Sequence, residues 1–261
     1  MELFSYSICA PGLVRLDNQD NLYVNGAYRR NIADNSVFKH SDKASKRGLY
    51  AVADGMGGET HGELASLITV QAMNTIKTNG GVQGIVQHLI ERNAIICDLI
   101  NENGGARIGS TFVGIYINGK NVEIINIGDS RAYLMRGGSF MQISRDHSSI
   151  QQMIDLGVLT KEAAHSHPDR HRLTQHLGIF PHEMVIEPYT ASMAVEAGDI
   201  FLMCSDGLTD MLDDPTIGVI LQSSGEITQK AEALYSAALQ KGGKDNITIL
   251  LVQVKKGGLF G

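Results

Sequence analysis

The sequence predicts an α/β (α+β) chain built as a four-layer sandwich, two packed antiparallel β-sheets flanked by helices on both outer faces, with a flap segment. Two observations lead there. Short, almost wholly apolar runs recur: "LYAVA" before Asp54, "STFVGIYI" after Gly109, "VEIINI" before Gly128, "IFLMC" before Ser205 and "ITILLV" after Asn246. Strands buried on both faces read this way, whereas a strand with one wet face alternates. The links "NGKN" at 118–121, "GDSR" at 128–131 and "RGGS" at 136–139 are too short for a crossover helix, so the strands they join should form an antiparallel meander.

Buried strands need cover, and amphipathic segments supply it. Leu64, Leu67, Ile68, Ala72 and Ile76 share one face of a helix expected from Glu63 to Thr78, and Ile85, Leu89, Ile96 and Ile100 one face of a helix from Val82 to Asn103. A third helix is expected over Glu226–Gln240 and a short one over Ser148–Leu156. A doubly wound nucleotide fold is disfavoured, because "ADGMGG" has neither the dinucleotide glycine spacing nor the Lys-Ser/Thr of a P-loop.

Length and composition fit one such domain. The 261 residues include 43% hydrophobic ones and no Pro- or Ser-rich linker, which predicts a single domain over 1–254, a flap near 148–178 and a flexible tail at 255–261. The net charge of −6 is spread without acidic or basic blocks, which argues against nucleic acid or a membrane as partner. Cys9, Cys97 and Cys204 are odd in number, far apart and set in apolar stretches, so reduced buried thiols and a cytoplasmic location are expected. "MELFSYSICAPG" has no basic start ahead of its apolar run, so no export signal is expected. A monomer is the default.

The chemistry lies in carboxylates at strand ends. Asp54, Asp129 and Asp206 follow buried strands as "ADG", "GDS" and "SDG", and Asp245 precedes one in "KDNITILLV". Neighbouring antiparallel strands end and begin at the same edge, so these four acids can converge. Two carboxylates about 4 Å apart repel by roughly 4 kcal/mol at an effective dielectric near 20, and a divalent cation is the simplest counter-charge. All-oxygen donors suit Mg(II) or Mn(II). Glycine after Asp54 and Asp206 would let a backbone carbonyl approach the ion and would permit positive φ.

Eight motifs in order carry a resemblance: "VRLDNQD" (14–20), "VADGMGG" with "GELAS" (52–66), "GSTF" (109–112), "NIGDSRAYLMRGG" (126–138), "ISRDHS" (143–148), "HPDRHRLTQHLG" (167–178), "LMCSDGLTDML" (202–212) and "GGKDNITILLV" (242–252). From Ser7 to Val254 the chain resembles the bacterial members of the metal-dependent serine/threonine protein phosphatases (PPM, type 2C). The resemblance implies two or three divalent ions, Mn(II) or Mg(II). Asp54 would bridge two of them with the Gly55 carbonyl, Asp206 and Asp245 would bind the first, and Asp20 would serve the second. Asp129 and Asp206 would hold a third, weaker ion, and Arg15 the substrate phosphate, to which a planar guanidinium is suited. His167 and Arg170 fall in the flap, on the substrate side.

The implied reaction is hydrolysis of phosphoserine or phosphothreonine in proteins by a metal-activated water, opposing a serine/threonine kinase, with phosphoproteins including such a kinase or its targets as partners. One departure stands out. Relatives commonly read "DGMGGH", whereas this chain has Glu59 there and His61 two residues on: His61 could protonate the leaving alkoxide through a water, Glu59 could alter the charge and acidity of the site, or solvent could donate. A general acid supplies about 2–4 decades of rate where monoester hydrolysis can demand up to about 21, so none of these alternatives abolishes activity. The flap carries His165, His167, His171 and His176, whose spacing matches no standard zinc site. Asp146 and His147 are expected to cap the helix that follows. The rival reading is a catalytically weak regulatory or binding module; a two-metal nuclease would want a basic groove that the charge pattern does not suggest.

Overall fold

The computed structural model describes residues 1–57, 61–76, 80–164 and 167–256. In its N-terminal half, β1 (Glu2–Ala10), β2 (Asp20–Val24), β3 (Ala27–Tyr28), β4 (Phe38–Ser45) and β5 (Arg47–Met56) precede helices α1 (Gly62–Thr75) and α2 (Gly81–Glu102). Four strands follow, β6 (Gly109–Ser110), β7 (Phe112–Asn118), β8 (Asn121–Ile127) and β9 (Arg131–Arg136), then β10 (Ser139–Gln142) and the flap helices α3 (Ser149–Asp155) and α4 (Lys161–Ala164). The chain closes with β11 (Tyr189–Ala194), β12 (Ile200–Cys204), α5 (Asp206–Thr209), α6 (Asp214–Gln222), α7 (Ile227–Gln240) and β13 (Ile247–Lys255).

The strands form two antiparallel sheets. One has the order β10-β9-β12-β13-β1-β4 and the other β11-β8-β7-β5-β2-β3, with β6 paired to β5 beyond that path. Between them lies a core of Leu22, Val52, Val113, Ile124, Phe201, Leu250 and their neighbours. The outer face of the second sheet packs Ala51, Phe112 and Ile125 against Val70, Leu89 and Ile96 of α1 and α2. On the opposite side Ile8, Tyr133 and Leu251 meet Leu208, Ile217 and Leu234 of α5, α6 and α7. These are the four layers the apolar runs imply, each sheet covered on both faces.

Three sequence expectations change. The link 128–131 joins no meander: β8 pairs with β7 and β11, whereas β9 pairs with β10 and β12, so "GDSR" crosses from one sheet to the other. Gly128 makes the crossing at φ 103°, with a position for Cβ only 2.7 Å from Thr111 Cγ2, a turn that a side chain would obstruct. The tail starts later than expected, because Lys255 still pairs with Glu2 at the end of β13; residues 257–261 lie outside the described residues. Finally, the apolar-run criterion passes over β4 and β11, whose side chains alternate between half-buried and exposed, and over α6, which Asp213 caps by accepting from Thr216 N at 2.9 Å.

At one end of the sandwich Arg136 helps to tie the sheets together. Arg136, closing β9, donates to Asp199 at 2.7 Å, to Glu196 at 2.9 Å and to the Ala194 carbonyl of β11 at 2.7 Å. The carboxylates gather at the opposite end. All three cysteines are free and buried.

Candidate active site

Adjacent strands bring the first two acids together by register: β2 and β5 pair Asp20 directly with Asp54. The other sheet supplies Asp206, the first residue of α5 after β12, and Asp245, two residues before β13. Asp129 sits on the crossing link. Asp54 feels the charges of Asp20, Asp206, Asp129 and Asp245, and burial plus this crowding pushes its carboxyl well above the usual range. Asp129 is raised in the same way, by burial first and then by Asp206 and Asp146. Asp20 is fully buried and pushed up to about 7 by burial, against the hydroxyls of Ser205 and Thr248, which favour its ionised form.

Those hydroxyls fix one oxygen of Asp20: Ser205 donates to Oδ2 at 2.6 Å and Thr248 at 2.7 Å. Its other oxygen, Oδ1, is buried with no hydrogen-bond partner. A buried carboxylate oxygen left without a donor costs about 1–3 kcal/mol, more when charged, unless something positive meets it. Five converging acids and this orphaned oxygen fit a divalent cation. Ser205 is thus a hydrogen-bond donor to the acid group.

The glycines answer to space more than to dihedral freedom. Neither Gly55 nor Gly207 has a positive φ, but a Cβ on Gly55 would lie 2.0 Å from the Gly62 carbonyl oxygen and one on Gly207 1.9 Å from the Asn246 carbonyl oxygen. The strand bearing Asp54 is pressed against the start of α1, and the helix bearing Asp206 against the loop bearing Asp245. Asn246 locks that loop to residues 11–19: its side chain donates to the carbonyls of Pro11 at 3.2 Å and Asp17 at 2.8 Å and accepts from Gln19 N at 2.9 Å.

Arg15 projects from the clamped loop, its Nη2 donating to Asp245 Oδ2 at 2.8 Å, with its side chain 56% exposed. His61 holds a left-handed φ of 72° just before α1, and its carbonyl accepts from Ala65 N. Glu59 and His165 lie outside the described residues. In the flap, His167 turns on itself, Nδ1 accepting from Asp169 N at 3.2 Å. Arg170 lines a cleft of about 530 Å³ together with Asp129, His171 and Asp210. His176 faces inward, with Nδ1 2.9 Å from the Leu177 carbonyl oxygen. The flap histidines therefore do not assemble with one another among the described residues.

Some members of the site escaped the sequence reading. His171 reaches from the flap to within 3.7 Å of Asp206 and 3.6 Å of Asp210, and the three offer ligand atoms within 4.8 Å of one another. Asp210 was legible in principle, since it lies four residues after Asp206 on the "SDGLTD" turn. The expected capping role of Asp146 and His147 moves by one or two residues: Ser148 caps α3, accepting from Gln151 N at 3.1 Å. Asp146 instead pairs with Arg131 at 2.7 Å, and His147 Nδ1 accepts from Gly128 N at 3.2 Å, bracing the turn that presents Asp129.

Acids converging from two facing sheets, with an arginine at the rim, fit a metal-dependent phosphoester hydrolase. Comparison with known proteins agrees. Residues 23–152 match the family model "Protein phosphatase 2C". The serine/threonine protein phosphatase PstP of Mycobacterium tuberculosis is 33% identical over 248 residues, 93% of this chain and 43% of that protein. The chain thus spans less than half the length of that relative. Protein phosphatase PhpP of Streptococcus pneumoniae is 32% identical over 252 residues, 94% of this chain and 95% of that protein. The crystal structure of the PstP catalytic domain with two manganese ions superposes with a TM-score of 0.79 at 30% identity, covering 98% of this chain and 100% of that one. The chain belongs to the protein phosphatase 2C family of metal-dependent serine/threonine phosphatases. No helix among the described residues is long and apolar enough to cross a membrane.

Proposed function

We propose that the protein hydrolyses phosphoserine and phosphothreonine in cytoplasmic proteins, opposing a serine/threonine kinase, with that kinase or its targets among its substrates. The observation that carries this is the convergence of Asp20, Asp54, Asp129, Asp206 and Asp245, drawn from both sheets, beside the exposed guanidinium of Arg15. Asp54 with the Gly55 carbonyl, Asp20, Asp206 and Asp245 would hold two divalent ions, and Asp129 with Asp206 a weaker third; Mn(II) and Mg(II) both suit such oxygen donors. Bound there, the ions would supply an acidified water as nucleophile and would neutralise charge on the phosphoryl oxygens.

The chain's own groups do the rest. Arg15 keeps one donor on Asp245, and its remaining N–H groups can grip two oxygens of a phosphate placed at the rim. Ser205 and Thr248 hold Oδ2 of Asp20, leaving the unpartnered Oδ1 for an ion to take. His61, beside the Gly55–Gly62 contact, is the proposed proton donor to the leaving alkoxide, acting through water. His167 and Arg170 border the substrate from the flap.

The test is phosphate release from a phosphothreonine peptide with Mn(II), with Mg(II) and with a chelator, for the native chain and Asp206→Asn. Metal-dependent release that falls at least about a hundredfold in the variant supports the reading. Binding of Mn(II) without release from any of a panel of peptides would instead favour a regulatory module.

A further inference from the structure

Arg15 stands between unusually wet neighbours. Val14 is 64% exposed and Leu16 88%, the latter the most exposed large apolar side chain among the described residues, and Leu13 before them is also 64% exposed. Single exposed apolar residues are ordinary, but three within four positions, on both sides of the proposed phosphate-holding arginine, make a patch rather than scatter.

The patch is held in place. Leu13 N donates to the Gly243 carbonyl at 2.7 Å, Asn246 grips the Pro11 and Asp17 carbonyls, and Asn18 N donates to Asn35 Oδ1 at 2.9 Å. Gly12 adopts φ 77° where a Cβ would come within 2.2 Å of the Asp245 carbonyl oxygen, so the loop lies flat on the segment that carries a carboxylate of the site. A loop anchored on both sides therefore presents Val14 and Leu16 to solvent, which lowers the backbone ordering cost that a ligand would meet.

We propose that Val14 and Leu16 form an apolar shelf that reads the residues flanking the phosphorylated serine or threonine, favouring protein segments with aliphatic side chains next to it. This rests on Arg15 as the phosphate anchor. A phosphate seated on Arg15 brings its own polypeptide across the same loop, so the residues beside the phosphoamino acid meet Val14 and Leu16. Aliphatic neighbours would cover the shelf, whereas charged ones would lose hydration against it. The surface is continuous with the site, and its occupant is the substrate chain itself.

The experiment measures kcat/KM for two phosphothreonine peptides that differ only in having leucine or serine beside the phosphothreonine, with p-nitrophenyl phosphate as a flank-free substrate. The native enzyme should prefer the leucine peptide by about tenfold, carried by KM, since a few buried methylenes discriminate on that order. Leu16→Ser with Val14→Ser should erase the preference, Leu16→Met should keep it, and all should turn over p-nitrophenyl phosphate as the native chain does. Equal use of both peptides by the native enzyme, or a preference that survives the double serine variant, would overturn the shelf. So would a parallel loss on p-nitrophenyl phosphate in that variant, which would mean that the loop acts through Arg15. Failure of the native enzyme on every substrate would count against the phosphatase reading itself.

Discussion

Asp20 shows how one buried side chain ties the stability of the fold to pH. Its carboxyl is pushed up to about 7 by burial, so the metal-free folded state keeps a proton that the unfolded chain releases near 3.8. A group whose folded value is raised in this way stabilises fully below the unfolded value, and that stability drains away as pH climbs through about 7. Asp54 and Asp129 are raised as well and add in the same direction. Thermal melting in a chelator should therefore show Tm falling between about pH 4 and pH 7, and Mn(II), which favours the ionised carboxylates, should flatten that fall. A Tm independent of pH in chelator would contradict the buried-acid account. Asp54 and Asp129 were legible in the sequence because each follows an apolar run, whereas Asp20 was implied only by the family resemblance. Thr248 was neither, since one hydroxyl inside "NITILLV" looks like ordinary strand composition until the fold turns it onto Asp20.

Helices placed by amphipathic periodicity were found within a residue or so at their starts, as α1, α2, α3 and α7 show. The element that periodicity missed, α6, is short, and its end depends on another helix. Lys230 of α7 is 7% exposed, and its ammonium donates to the carbonyls of Leu221 and Ser223 at the α6 C-terminus, where orphan acceptors and the negative end of the helix dipole favour a cation. Lys230→Met keeps the aliphatic stem but strands those carbonyls, and should cost about 1–3 kcal/mol in urea denaturation while leaving kcat/KM unchanged. A loss of activity at full stability would mean that α6 positions the site directly. The flap is the element sequence described least well. Its polarity was plain, but the path that delivers His171 to Asp206 and Asp210 depends on long-range bridges, Ser148 to Leu173 and Ser110 to Leu177, that no local pattern encodes.

At the scale of the whole molecule, apolar runs and short links specify the layers but not the destination of the 128–131 link, because a tight glycine turn serves a hairpin and a sheet-to-sheet crossing equally well in sequence. That crossing is what places Asp129 between the sheets instead of at the tip of a hairpin. It also leaves the sandwich fastened differently at its two ends. Arg136 binds the far end through the Ala194 carbonyl, whereas the near end is joined by Ser205 and Thr248 on Asp20, in the midst of like charges. Amide hydrogen exchange should therefore slow on adding Mn(II) mainly around Asp20–Leu22 and Thr248–Leu250, with little change near Arg136 and Asp199; uniform slowing would mean that the ion stiffens the whole fold. The Arg136 contact thus makes the protein resemble a bound book: the spine is fastened by pairs of opposite charge, while the carboxylates crowd together along the fore-edge.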